Sequence, residues 1–135
     1  MINKKGMDKA IDFWLRAAQD NFQIAEIMFK TGRYSFSMFM CQQSLEALLK
    51  AVIIARTHAR PPYLHELGLL IKPTGLKAPP KILKVLKEAD QHYIKTRYRE
   101  DRFNSRIYNK NTAAKLIMMT KEATRWFIKK VNLKP

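Results

Sequence analysis

Residues 93–110, YIKTRYREDRFNSRIYNK, contain the residue types of this chain that best suit chemistry with phosphates and bases. Six lysine or arginine side chains alternate with four aromatic rings, and Glu100 and Asp101 are the only acidic residues among them. Basic side chains bind phosphate oxygens, and aromatic faces stack on bases. The segment therefore predicts a phosphate-binding site in which Tyr98 is available for stacking. The candidate residues are Lys95, Arg97, Tyr98, Arg99, Arg102, Arg106 and Lys110.

The net charge of the chain is concentrated in the same part of the sequence. Residues 56–135 hold 19 of the 26 Lys and Arg residues but only 6 of the 11 Asp and Glu residues, and the formal net charge is +15. Such a surface repels itself, and a polyanion or an acidic partner relieves this repulsion. Two functions stay open, namely binding of nucleotide, RNA or DNA, and docking of an acidic protein. The alternative is that the cations serve solubility alone.

Other reactive side chains form no recognisable site in the sequence. The three histidines and the single cysteine share no metal-ligand spacing, so neither a metal nor another cofactor is predicted. The four glycines are isolated, which excludes a glycine-rich phosphate loop. Cys41 falls on the apolar stripe of a predicted helix, where a buried thiol keeps a high pKa and is inert.

Helical periodicity predicts the elements that position these residues. From Asp8 to Thr31, and again from Tyr34 to Ala55, apolar residues recur at alternating steps of three and four, as on one face of a helix. The connection around Gly32 is very short. The two helices are therefore expected to lie antiparallel as a hairpin.

Three further helices are predicted in the second half of the chain. A short one covers Leu64–Ile71, a second starts near Pro80 and runs to Tyr93, and a long one covers Ala113–Phe127. No segment shows the strict alternation of a half-buried strand. The prediction is an all-α fold, an up-and-down helical bundle of three long helices and one or two short ones.

Length and composition predict one domain. A chain of 135 residues suits a single domain over residues 1–135, with residues 1–7 as a flexible N-terminal tail. One cysteine cannot form an intramolecular disulfide, and no run of roughly 18 uncharged apolar residues occurs. The protein is therefore expected to be cytoplasmic and to have no membrane partner.

The second predicted helix reads GRYSFSMFMCQQSLEALLKA and is followed by PPYLHEL and later by TRY at residues 96–98. This order of motifs resembles the HEPN domain family of small helical bundles, and the resemblance extends from Trp14 to Trp126. It implies a bundle that commonly dimerises and associates with nucleotides, RNA or a small nucleotidyltransferase. For this chain it implies a homodimer, RNA as the favoured ligand, and an acidic nucleotidyltransferase as a possible partner.

Some members of the family that this chain resembles are metal-independent endoribonucleases, in which an arginine is followed four to six residues later by a histidine. At those spacings Arg97 is followed by arginine, phenylalanine and asparagine, so the histidine is missing. The alternative function is a toxin-like ribonuclease in which Arg97 polarises the phosphate and His65 or His92 replaces the missing base. The literal spacing occurs at Arg60–His65, where the resemblance favours a structural role at a helix start.

A polar stripe interrupts the second predicted helix and leaves two alternatives open. Gln42, Gln43, Glu46 and Lys50 lie among apolar residues. One interpretation is a solvated helix face with a weak Glu46–Lys50 pair. The other is a buried network that meets Arg97 or a second copy of the chain, because buried polar groups need partners.

Overall fold

The computed structural model describes residues 2–95 and 102–134, and at residues 94 and 95 it describes the backbone alone. This part of the chain contains five helices and no strand. The predicted all-α bundle is confirmed, with three long helices, one of intermediate length and one short. Their bounds are α1 Lys4–Lys30, α2 Tyr34–Thr57, α3 Leu67–Thr74, α4 Pro80–Lys95 and α5 Lys110–Val131.

Helices α1 and α2 form the predicted antiparallel hairpin. Gly32 turns the chain with φ of +78°, a left-handed conformation that glycine adopts without steric conflict. The hydroxyl groups of Ser37 and Ser44 each donate a hydrogen bond of 2.8 Å across the interface, to the carbonyl oxygens of Ala25 and Ala18 respectively. Small residues on both helices allow this close approach, and the two bonds fix the register.

Helix α1 begins earlier than its apolar pattern predicts. The Asn3 side chain accepts a hydrogen bond of 2.8 Å from the Gly6 amide, which caps the helix so that it starts at Lys4. The Ile2 amide also donates to the carbonyl of His58 at 3.0 Å. Residues 4–7, which were expected in a flexible tail, are therefore helical.

Helix α2 is the central helix of the bundle. It packs against α1, α3, α4 and α5, and its residues from Ser44 to Ile54 are all buried. Within the described residues it is also the one helix long and apolar enough to cross a membrane. Its packing accounts for that composition, since most of its apolar stretch faces other helices rather than solvent.

Helix α3 begins three residues later than predicted because a residue from α4 caps it. The carboxylate of Asp90 accepts hydrogen bonds from the Leu67 amide at 2.8 Å and from the Gly68 amide at 3.1 Å. Acidic side chains stabilise helix N-termini, where amides lack partners. Asp90 lies 23 residues further along the chain than Leu67, so local sequence pattern does not reveal this start.

A reciprocal cap starts helix α5 at Lys110 rather than at Ala113. The Thr112 amide donates to the Asn109 side chain at 3.0 Å, and the Asn109 amide donates to the Thr112 hydroxyl at 3.1 Å. Such a capping box satisfies two amides that the helix leaves unpaired. It also fixes the C-terminal end of residues 93–110, which we call the basic segment, relative to the bundle.

Candidate nucleic-acid interface

Three of the seven predicted phosphate-binding residues have described side chains. These are Arg102, Arg106 and Lys110, of which Arg106 and Lys110 are exposed. Arg97, Tyr98 and Arg99 lie outside the described residues, as does the side chain of Lys95. The structure therefore describes the second half of the predicted site.

Arg102 lies against two aromatic rings. Its guanidinium carbon is 5.0 Å from the centroid of the Phe36 ring and 5.2 Å from that of Phe103. At such distances the cation is attracted by the electron-rich ring faces. The Nε atom is shielded from solvent and has no hydrogen-bond partner among the described residues. The rings thus orient the guanidinium group, and its Nε donor is not satisfied by the part of the protein that the structure describes.

A cavity of about 320 Å³ brings the start of α2 next to this arginine. Its walls include two arginines, Arg33 from the α1–α2 connection and Arg102 from the basic segment. Helix α2 starts directly after Arg33, with no side-chain cap and no acidic residue in its first turn. The amides of a helix start attract anions. The other lining residues are Gly32, Tyr34, Ser35, Phe36, Phe103, Ser105 and Tyr108.

Arg33 is a site residue that the sequence analysis missed. It lies far from the basic segment along the chain, and the fold brings the two together at the cavity. The sequence signal that could have revealed it is an arginine at the start of a long helix, where hydrogen-bond acceptors such as Ser or Asp are preferred. We call Arg33, Arg102, Arg106 and Lys110 the basic wall.

The basic wall is not neutralised by the described residues. The four ion pairs in this part of the protein all lie elsewhere, and no described carboxylate is within 4.0 Å of a basic-wall nitrogen. Lys110 opens α5, whose first turn also lacks an acidic residue. Cations at a helix N-terminus oppose the helix dipole. The start of α5 therefore adds to the positive potential at the wall.

The polar stripe on α2 forms a buried network with the residue that precedes α3. The Glu46 carboxylate accepts from Lys50 Nζ at 3.1 Å and lies 3.1 Å from His65 Nδ1, while the Lys50 and Glu46 side chains are only 8% and 10% exposed. The ammonium group of Lys50 is also 5.0 Å from the Trp14 ring centroid. Of the two alternatives, the burial of the stripe is confirmed, and its partner among the described residues is His65. Arg97, the partner that was expected, lies outside the described residues.

The two glutamines of the stripe hold the chain before α3 in place. Gln42 is fully buried, and its Nε2 donates a hydrogen bond of 2.8 Å to the backbone carbonyl of His65. Gln43 Nε2 donates in turn to Gln42 Oε1 at 2.8 Å. The side-chain amide of Gln42 thus donates through its nitrogen and accepts through its oxygen, and these two bonds fix the position of the His65 backbone.

The two histidine candidates lie in different environments. The His65 ring stacks on Tyr93 with a centroid distance of 5.0 Å, its side chain is 55% exposed, and its Nε2 makes no hydrogen bond to a described residue. His92 is only 4% exposed, and its Nδ1 lies 3.2 Å from the Tyr108 hydroxyl. A substrate can reach the His65 ring, whereas His92 is enclosed by the bundle.

Cys41 is fully buried, as predicted from its place on the apolar stripe. Burial raises the pKa of its thiol from the usual 9.0 to about 12. The reactive thiolate is therefore scarce at neutral pH, which confirms the interpretation of an inert core thiol. Among the described residues, no three His, Cys, Asp or Glu side chains come together where they could hold a metal ion.

Comparisons with known proteins agree with this architecture. The family model for the HEPN domain matches residues 11–131. The crystal structure of TT1696 from Thermus thermophilus superposes with a TM-score of 0.77 at 25% identity, over 90% of this chain and 97% of that one. ST0689, an archaeal HEPN homologue, superposes with a TM-score of 0.72 at 21% identity over the same shares. No curated protein matches the sequence significantly.

Proposed function

The chain belongs to the HEPN domain family, and from this premise we propose that it binds the phosphate groups of nucleic acid, with RNA as the favoured ligand, through the basic wall. The observation that carries the proposal is the meeting of Arg33 and Arg102 at one cavity, where no described carboxylate pairs with either. Lys95, Arg97, Tyr98 and Arg99 extend the proposed site along the chain.

Electrostatics explain why an anion stabilises this arrangement. Like charges that are not compensated repel one another, and the starts of α2 and α5 both carry a cation where a helix prefers an anion. A phosphate at the cavity relieves the repulsion between its cations and meets the start of α2, which lines the cavity. Its oxygens also accept hydrogen bonds from guanidinium groups with good geometry.

The test is the salt dependence of RNA binding. The wild-type protein should bind a short labelled oligoribonucleotide with an affinity that falls steeply as salt rises, because each neutralised phosphate releases counterions. In a variant carrying Arg102→Gln, Arg106→Gln and Lys110→Gln, the negative slope of log K against log salt should become less steep by about 2, at roughly 0.7 per phosphate contact on a single strand. Fluorescence anisotropy over a salt series measures both slopes.

A matched control separates the effect of the basic wall on RNA binding from the effect of total charge. Lys72, Lys84 and Lys87 are exposed and belong to α3 and α4. Changing all three to glutamine removes the same charge and should leave the slope close to that of the wild type. An equal change of the salt slope in the two triple variants would contradict a specific role of the basic wall. Equal wild-type affinity at low and moderate salt would contradict phosphate binding altogether. Preferential binding to an acidic polypeptide would instead favour a protein partner such as a nucleotidyltransferase.

The contact between Glu46 and His65 favours endoribonuclease activity as a second candidate function. A carboxylate bound to Nδ1 orients the histidine ring, which leaves Nε2 as the ring nitrogen that can exchange a proton with substrate. His65 is exposed enough for this role, and His92 is not. The proposed base is therefore His65, acting with an arginine that polarises the phosphate.

Incubation with RNA in the presence of a chelator tests this second function. If the protein is a nuclease, wild-type cleavage should fall about 10²- to 10⁴-fold in His65→Ala, the range expected for loss of a general base. Circular dichroism should show that the variant is folded. Cleavage that persists in a His65→Ala and His92→Ala double variant would exclude both histidines, and intact RNA with the wild type would leave binding as the function.

A further inference from the structure

Two phenylalanine rings at the basic wall are exposed to solvent. Phe103 is 73% exposed and Phe36 is also among the exposed large apolar residues, although both lie within about 5 Å of the Arg102 guanidinium. Exposed apolar side chains are common singly, but a pair that flanks an arginine with an unsatisfied donor is not explained by packing. The cluster suits a ligand that is flat and anionic at once.

The cavity beside these rings has the size of a site for one planar group. It measures about 320 Å³, near the lower end of the range for small-molecule pockets, and the rings of Tyr34 and Tyr108 also line it. Arg33 and Arg102 place positive charge at the same cavity. A base can stack on the aromatic and guanidinium planes while its phosphate meets these cations.

We propose that this cavity gives the protein a preference for single-stranded over double-stranded nucleic acid, by stacking one unpaired base against Phe103, Phe36 and Arg102. The inference rests on the proposed binding function and names its substrate class. In a duplex the faces of the bases are covered by their neighbours, so a compact cavity reaches only the backbone. In a single strand each base offers its face, and aromatic side chains stack on it whatever its sequence.

An acidic protein is the competing occupant, and the exposed rings argue against it. Carboxylates pair with Arg33 and Arg102 without any need for flat apolar surfaces beside them. A solvent-exposed phenylalanine beside Arg102 adds nothing to such ion pairs. Bases use both features of the cavity, which makes nucleic acid the better match.

The experiment compares one labelled oligoribonucleotide, alone and annealed to its complement, by fluorescence anisotropy at a fixed moderate salt concentration. The wild-type protein should bind the single strand about 5- to 150-fold more tightly, which corresponds to the stacking of one base. Phe103→Leu keeps an apolar side chain but removes the ring, and it should abolish most of this preference while leaving duplex affinity within about twofold. Phe36→Leu should act in the same direction.

Phe13→Leu is the matched control, since Phe13 is 62% exposed on α1 and makes no contact with Arg102. It should leave both affinities unchanged. Equal wild-type binding of the two RNA forms, or equal weakening of both by Phe103→Leu, would overturn the stacking inference while the binding function stands. Absence of salt-dependent binding to either form would overturn the proposed function and this inference together.

Discussion

Replacement of Lys50 by methionine is expected to lower the free energy of unfolding by about 3–5 kcal/mol, the usual effect of removing one partner from a buried ion pair. The ammonium group of Lys50 lies 3.1 Å from a Glu46 oxygen, and both side chains are about nine-tenths buried. Methionine fills similar space but leaves the carboxylate with His65 as its remaining described partner. The loss should be measured by equilibrium denaturation with guanidinium chloride.

Two comparisons isolate the effect of burial. Lys81 and Glu122 form an ion pair at 2.9 Å with side chains 75% and 39% exposed, so Lys81→Met should change the free energy of unfolding by less than about 1 kcal/mol. A Glu46→Leu and Lys50→Met double variant removes both buried charges and should be more stable than Lys50→Met alone. A loss below about 1 kcal/mol for Lys50→Met would show that the ammonium group is not needed in the folded state.

Replacement of Phe127 by alanine is expected to lower the free energy of unfolding by about 3–5 kcal/mol, because it opens a cavity in the core. Phe127 is fully buried near the end of α5, and its ring makes an edge contact with Trp126 at a centroid distance of 5.0 Å. Phe13→Ala, on the exposed surface of α1, should change stability by no more than about 0.5 kcal/mol. Thermal and denaturant unfolding of the two variants provide the comparison.

The outcome for Phe127 also bears on the site. Helix α5 begins at Lys110, the last residue of the basic segment, and its packing on α2 holds that end of the segment against the bundle. A Phe127→Ala variant with wild-type stability would mean that α5 contributes little to this anchoring.

Helix α2 connects the two polar regions of the protein. Its first turn lines the cavity beside Arg102, and its middle carries Glu46 and Lys50. The stack of Phe39, Tyr93 and His65 lies between α2, the end of α4 and the chain before α3. The last described side chain of α4, Tyr93 at the start of the basic segment, therefore contacts the same helix that carries the buried ion pair.

The sequence alone predicted the fold class and most helix positions. Apolar residues at steps of three and four reveal which face of each helix is buried. This signal is local, so it can be read without knowledge of the partner helices. The hairpin followed from the short connection at Gly32, and the buried thiol of Cys41 from its place on an apolar stripe. Helix starts were less accurate, because the Asp90 cap on α3 comes from another helix.

For the candidate site, the sequence supplied the residue types and the tertiary structure decided which of them meet. It indicated the basic segment by composition but not Arg33, and it left open whether Glu46 and Lys50 face solvent or a buried partner. Their burial depends on where α3 and α4 pack against α2, and Arg33 and Arg102 line one cavity because distant segments pack together. Periodicity shows on which face of its own helix a residue lies. A site depends on distances between residues of different helices, and only the assembled bundle determines those distances.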